Sequence, residues 1–371
     1  MSVPMMDLRP LLAETEPAWR GHLARLFERM QFILGEQVEA FEREFAAAMG
    51  ARFAVAVAAG TAAIELGLRA AGLAGSGAEV IVPALTSLFT AQAVLAAGCR
   101  PRFADVDPVH LLLDPASAES HCTRRTRALV PVHLYGQPCD PRPLLELARR
   151  RRLELVQDAC QAHGALAGGR PLARFSAATA YSFYPTKNLP CLGDGGAVIT
   201  DSPAVAKRLA RLRDGGRHGD QMARVPGINA RLDEMQACYL RAFLPRLAEW
   251  NARRVRLARL YDQALADCSA VTPVARREGS VCHLYVVRSR HREKLRAALA
   301  RHGILTGVHY PVPLHMQPAF RSVGMPGGRS GEFPVAERAC REILSLPLWP
   351  HMRDDAVLEV CERVRAYSKE A

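Results

Sequence analysis

The chain has 371 residues and a formal net charge of +12, and 49% of its residues are hydrophobic, an ordinary composition for a globular protein. That length can bury a sizeable core in roughly two to three domains, or in one large domain with an appendage, while no apolar run approaches the roughly 20 residues of a membrane helix. The basic residues alternate with apolar ones, as in Lys207-Arg208-Leu209-Ala210-Arg211, which reads as a solvated helix face and argues against nucleic acid as a partner.

Nearly all the positive charge is arginine: 45 residues, against four lysines at positions 187, 207, 294 and 369. Arginine stays protonated and cannot act as an amine nucleophile, so any Schiff-base chemistry has four candidate positions. The ten cysteines form no Cys-x-x-Cys pair, so no metal site is expected, and free thiols in a reducing cytoplasm are the simplest account. The start, Met1-Ser2-Val3-Pro4, carries no basic-then-apolar leader, which predicts no secretory signal.

In chain order, the first 50 residues read as helix, with Val38, Phe41 and Phe45 on one face and Gly35 and Gly50 at its ends. Strands are then predicted at 53–57, 79–82, 101–105, 128–132, 153–157, 179–183 and 197–200. Helices are predicted near 61–73, 88–97, 141–151 and 203–213. This alternation predicts an α/β layer with a mostly parallel sheet covered on both faces. Residues 231–266 read as one long helix that Pro245 should interrupt. A strand at 284–288 and helices at 291–302 and 353–367 complete the pattern. The division expected is a large domain over 1–240, including the N-terminal helices, and a smaller α+β domain over 241–371.

Four local features lie at strand ends or helix starts, where α/β sheets bind ligands. Ala59-Gly60-Thr61-Ala62 follows a strand and opens a helix, whose free amides suit a phosphate; alone it reads first as an ordinary turn. Asp158 ends an apolar strand and fits a helix cap as well as a ligand. Lys187 lies between a strand and a glycine-rich turn, near the hydroxyl of Ser182, whereas Lys207 and Lys294 sit on arginine-rich helices and Lys369 in the C-terminal tail. Asn229 precedes the long amphipathic helix. A helix N-terminus for phosphate, an acid for a pyridinium nitrogen and a lysine for an aldehyde are together the parts of a pyridoxal phosphate site.

From about residue 30 to 365 the chain resembles the DegT/DnrJ/EryC1/StrS family of sugar aminotransferases, which are fold-type-I pyridoxal phosphate enzymes. The resemblance rests on Gly-Thr-Ala-Ala (60–63), Pro-Val-His-Leu-Tyr-Gly-Gln (131–137), Asp-Ala-Cys-Gln-Ala-His-Gly (158–164), Lys-Asn-Leu (187–189) with Gly-Asp-Gly-Gly (193–196), and Asn-Ala-Arg-Leu-Asp-Glu-Met-Gln (229–236), which occur in family order. It implies that Lys187 forms the Schiff base, that Asp158 pairs with the pyridine nitrogen, and that Gln161 contacts the ring or its hydroxyl. Gly60, Thr61, Ala62 and Ser182 would hold the phosphate. Asn229 would reach the phosphate of the partner subunit, which implies a homodimer with shared sites.

The sequence departs from the family pattern in places. Ser87 stands where an aromatic residue usually covers the ring, leaving open whether the lid is lost or Phe89 supplies it. Ala59 replaces a common serine, and Pro190-Cys191 a common Gly-Ala. Cys160 and Cys191 are expected to be small buried core residues.

Tyr184 and the proline-stiffened loop carrying His309, Tyr310 and His315 suit a polyhydroxylated substrate; the alternative for the histidines is packing within the small domain. With Phe32-Ile33-Leu34-Gly35, this loop is most similar to the branch acting on nucleotide-linked 3-keto-6-deoxy sugars. The amino donor expected is L-glutamate. A 4-keto nucleotide sugar, a keto-cyclitol, or a non-catalytic regulatory role on the same scaffold are the alternatives. His133 and His163 are expected to serve the core or to back the site, and a few arginines to bind substrate phosphates.

Overall fold

A computed structural model describes residues 2–217, 221–321 and 329–370. The helices are α1 (Arg9–Glu14), α2 (Glu16–Arg29), α3 (Glu36–Ala48), α4 (Gly60–Leu68), α5 (Leu88–Ala96), α6 (Pro115–Ser120), α7 (Pro141–Arg151), α8 (Pro203–Leu212), α9 (Glu234–Phe243), α10 (Leu247–Leu265), α11 (Arg292–Arg301), α12 (Pro318–Arg321), α13 (Pro334–Glu342) and α14 (Asp354–Glu370). The strands are β1 (Phe53–Val57), β2 (Glu79–Pro83), β3 (Arg100–Ala104), β4 (Thr126–Leu129), β5 (Glu154–Asp158), the short pair β6 (Leu166–Ala167) and β7 (Arg170–Pro171), β8 (Ala178–Ser182), β9 (Gly196–Thr200), β10 (Thr272–Pro273), β11 (Tyr285–Arg288) and β12 (Ile343–Leu346).

Seven strands form the main sheet in the order β1-β9-β8-β5-β4-β2-β3. Strand β9 runs antiparallel to both β1 and β8; the other pairs are parallel. The C-terminal ends of β1, β5 and β8 therefore open on the same edge of the sheet. β4 stops at Leu129, short of the expected Val132. Pro131 has no N–H for the ladder, and Val132 keeps only an isolated bridge to Asp158. At the predicted break, Pro245 lies in a 3₁₀ turn between α9 and α10.

Val38, Phe41 and Phe45 are buried on one face of α3, where Phe45 meets Tyr181 and Phe183 edge-on at 5.3 and 5.2 Å. The start of α3 is held from a distance. Glu234, at the head of α9, accepts from the backbone N–H of Gly35, Gln37 and Val38 at 2.8, 2.8 and 3.0 Å. A helix leaves its first N–H groups without partners, and a buried carboxylate there also meets the positive end of the dipole.

The strand β12 was not expected. It pairs antiparallel with β11, which also pairs with β10, to make a three-stranded sheet. Its four residues follow α13 without a turn, so no local signal separates it from the helix. The core around this sheet includes Leu257, Tyr261, Leu295, Leu344 and Val357, and also Val3, which bridges in parallel to Ile304. The N-terminal residues thus pack on the C-terminal sheet, while α3 packs on the main one. Among the described residues, no helix is long and apolar enough to cross a membrane.

Candidate active site

At the sheet edge a cavity of about 660 Å³ opens between the main sheet and the 309–310 loop. Gly60, Thr61, Phe89, Asp158, Gln161, Ser182, Tyr184, Lys187, His309 and Tyr310 all line it. The extended residue Ala59 caps α4, so the amides of Gly60, Thr61 and Ala62 fall in the first turn, and the first helical bond runs from Ala63 N–H to Ala59 C=O. Gly60 is required by close approach. A Cβ there would stand 2.6 Å from Ser182 Cβ and 3.0 Å from Cys160 Sγ. The backbone thereby forms a cradle for an anion beside the Ser182 hydroxyl.

Asp158 ends β5 and is 4% exposed. One carboxylate oxygen accepts from the Thr90 hydroxyl at 2.8 Å and the other from the Cys160 N–H at 3.1 Å. These bonds aim an acid into the cavity and leave it able to accept another donor, since an ionised carboxylate has about four acceptor positions. Lys187 follows a turn closed by its own N–H on Tyr184 C=O at 2.8 Å. Burial lowers its pKa, against the opposing pull of Cys160 and Asp158. A depressed lysine pKa raises the share of neutral amine, the form that attacks an aldehyde.

The facing wall comes from the 309–310 loop. His309 Nδ1 lies 2.9 Å from Ser345 Oγ, and burial, then the Lys187 charge, lowers its pKa to about 4. Its ring is neutral at pH 7. Burial raises the Tyr310 pKa to about 12, so it stays a phenol, and it accepts from Gln161 Nε2 at 3.1 Å. Gln161 Oε1 accepts from the Tyr135 N–H at 2.8 Å, and the Tyr135 hydroxyl donates to His309 C=O at 2.5 Å. Gln161 and Tyr135 thus tie the end of the sheet to the 309–310 loop. Gly136, at φ +87°, allows this approach: a Cβ would stand 2.7 Å from His283 N.

Several expectations are corrected. His315 does not line the cavity. The 3₁₀ turn 314–316 points it into the fold, where Nε2 meets Glu337 at 3.2 Å and the ring packs on Phe333. Asn229, expected to act in the partner subunit's site, is exposed and lies outside this chain's own cavity, which does not contradict that expectation. Ala62 contributes a first-turn amide, while its side chain packs toward the core. Cys160, expected in the core, lines the cavity, and burial keeps its thiol protonated; Cys191 is buried as expected. Among the described residues no arginine lines the cavity.

For the ring lid, Ser87 caps α5 and accepts from the Phe89 N–H at 3.4 Å, and both residues line the cavity. A groove of about 800 Å³ lined by Arg288, His291 and Arg338 contains none of the predicted site residues.

The sequence reading missed Thr90, His283, Met5, Met6 and Leu348. Thr90 lies in the first turn of α5, a position that a search for helix-start hydroxyls would have found. The others have no local signal. The end of the motif at 229–236 is structural: Glu234 caps α3, and Gln236 Oε1 accepts from Leu192 N–H at 2.8 Å, holding the loop that follows Lys187.

His133 and His163 are fully enclosed and back the site. Burial lowers their pKa values to about 4 and about 3. The folded protein keeps both rings neutral, while the unfolded chain protonates them below about pH 6.5. Their stabilising effect is therefore present above about pH 6.5 and is lost as the pH falls from there toward 4. In that window each group costs about 1.4 kcal/mol per pH unit. Glu42 and Glu65, whose pKa values burial raises, act in the opposite sense. Thermal unfolding at pH 7.5, 6 and 5 should show a steep fall in Tm below pH 6; a flat profile would contradict the buried neutral histidines.

The cradle at Gly60, the acid on β5 and the half-buried lysine fit pyridoxal phosphate: an anion site, a partner for a ring nitrogen and an amine for an aldehyde. The comparisons with known proteins agree. A relative from Streptomyces venezuelae, dTDP-3-amino-3,4,6-trideoxy-alpha-D-glucose transaminase, is 42% identical over 99% of this chain and 96% of its own. A pleiotropic regulatory protein from Geobacillus stearothermophilus is 38% identical over 99% of both chains. The crystal structure of S. venezuelae DesV in complex with a ketimine intermediate superposes with a TM-score of 0.95 at 41% identity, covering 100% of this chain and 99% of that one. The description of the DegT/DnrJ/EryC1/StrS aminotransferase family matches residues 18–365, and the chain belongs to this family of pyridoxal phosphate-dependent aminotransferases.

Proposed function

We propose that the protein moves an amino group from an amino acid, L-glutamate by preference, to the 3-keto carbon of a nucleotide-linked 6-deoxy sugar. The observation that carries this reading is the facing of Lys187 and Asp158 by His309 and Tyr310 across one cavity. Pyridoxal phosphate, when bound, supplies the electron sink and carries the amino group between the two half-reactions. The chain's own residues do the rest. The first turn of α4 and Ser182 hold the phosphate, and Asp158 keeps a ring nitrogen protonated. Lys187 moves the proton at the reacting carbon, while neutral His309 and phenolic Tyr310 orient sugar hydroxyls.

Homology to a 3-amino sugar transaminase supports the 3-keto position. The regulatory name of the second relative favours no other reading here, because a pure binding role would need neither Lys187 nor Asp158.

We further propose a homodimer in the cytoplasm, with the chain divided into a large domain over 1–240 and a smaller one over 241–371. Phe32, Ile33, Leu192 and Met235 are exposed, and Ile33 bridges to Asp233 while Leu192 bonds to Gln236. Such a contiguous apolar face supports a protein interface, and exposed Asn229 lies near it in the chain. The test is an amination screen of 3-keto and 4-keto nucleotide sugars and a keto-cyclitol with glutamate as donor. A 3-keto preference of at least tenfold is expected. Equal or better turnover of the 4-keto sugar would reject the assignment.

A further inference from the structure

We infer that His283 is a positioning residue for Lys187, presenting its Nε2 as a hydrogen-bond acceptor to the free lysine amine. This rests on the reading of Lys187 as the Schiff-base residue. Two backbone carbonyls, which can only accept, fix the amides beside His283. Asn251 Nδ2 donates to His163 C=O at 2.8 Å, and Asn188 Nδ2 donates to Val281 C=O at 3.1 Å. Both amides are therefore oriented without ambiguity. The second N–H of Asn188 goes to Asn251 Oδ1 at 2.8 Å, so Asn188 has no donor left. Its Oδ1 lies 3.1 Å from His283 Nδ1. That contact is a hydrogen bond only if Nδ1 carries the proton, and a neutral imidazole protonated at Nδ1 has a bare Nε2.

Burial holds the His283 pKa well below the usual histidine range, and the Lys187 charge acts in the same direction. The ring is therefore neutral. Among the described residues Nε2 has no hydrogen-bond partner, and His283 shares the cavity wall with Lys187.

The same network anchors the lysine, because Asn188 is its neighbour in the chain. An amine released from the cofactor has donors and needs an acceptor. The remaining acceptor positions of Asp158 are the ones assigned to the ring nitrogen, and the Tyr310 oxygen already accepts from Gln161. Nε2 of His283 is free to hold the amine against the wall while substrate occupies the cofactor.

The test compares wild type with His283→Asn and His283→Gln. Asparagine keeps a donor toward Asn188 and removes the acceptor at Nε2; glutamine places an amide oxygen near it. The primary readout is the rate at which pyridoxal phosphate, added to cofactor-free protein, forms the lysine-linked visible band. His283→Asn should be about tenfold slower, the effect of losing one neutral hydrogen bond. Its kcat should fall about as much, with the sugar KM within twofold, and His283→Gln should recover part of the loss. Wild-type kinetics in His283→Asn, or a rise in KM alone, overturns the inference. If wild type itself forms no band, the cofactor reading fails instead. Should the variants not fold, ¹⁵N NMR of the wild-type ring decides: a protonated Nε2 at pH 7 overturns the inference, and a bare one supports it.

Discussion

Lys187→Arg is expected to abolish transamination, by on the order of a thousandfold or more, while the protein stays folded. The substitution keeps the positive charge and nearly the length of the side chain, and removes only the ability to become a neutral amine. It isolates chemistry from electrostatics in a chain that uses arginine almost everywhere else. The Lys187 side chain makes no ion pair among the described residues, so the substitution breaks none. The purified variant should retain the wild-type Tm within a few degrees and show no lysine-linked visible band. A variant that kept both band and turnover would show that another amine does the work.

Asp158→Asn should lower kcat by roughly a hundredfold or more, the scale expected when a buried charge partner of a reacting system is neutralised. Asparagine fills the same space. The Thr90 hydroxyl, 2.8 Å away, can rotate to suit either end of the amide, and the Cys160 N–H still finds an oxygen. What is lost is the negative charge at the end of β5 that holds a ring nitrogen in its protonated form. The discriminating measurement is the spectrum of the bound cofactor together with kcat. An unchanged spectrum and near-normal turnover would reduce Asp158 to a structural cap for the residues after β5, the alternative that its sequence position allowed.

Much of the layout was legible because it is local. The strands expected at 53–57 and 79–82, the helices expected near 88–97 and 141–151, and the break at Pro245 follow from apolar runs, helical spacing and proline chemistry, and the structure has each within a residue. Gly60, Asp158 and Lys187 were legible as chemistry at strand ends, and the scarcity of lysine narrowed the nucleophile. The loop at 309–315 shows where that kind of reading stops. Its histidines are equivalent in sequence context, yet His309 faces the cavity and His315 meets Glu337 inside the fold. His315 lies within the 3₁₀ turn 314–316, and only the packing of that turn sets its direction.

The sequence by itself determined the backbone periods, the α/β layering, the placement of the acid and the lysine at strand ends, and the resemblance that named the chemistry. These depend on neighbours a few residues apart. The tertiary structure alone decided which distant side chains meet. Thr90 reaches Asp158 across 68 positions, Glu234 caps a helix 199 positions earlier at Gly35, and Asn188 sets the proton of His283 across 95. It also decided that Met5 and Met6 close the cavity from the far end of the chain, and that no arginine among the described residues lines it. The physical reason is the same in each case. Periodicity encodes which face of an element is buried, whereas a hydrogen bond between elements depends on how their faces pack, to within an ångström.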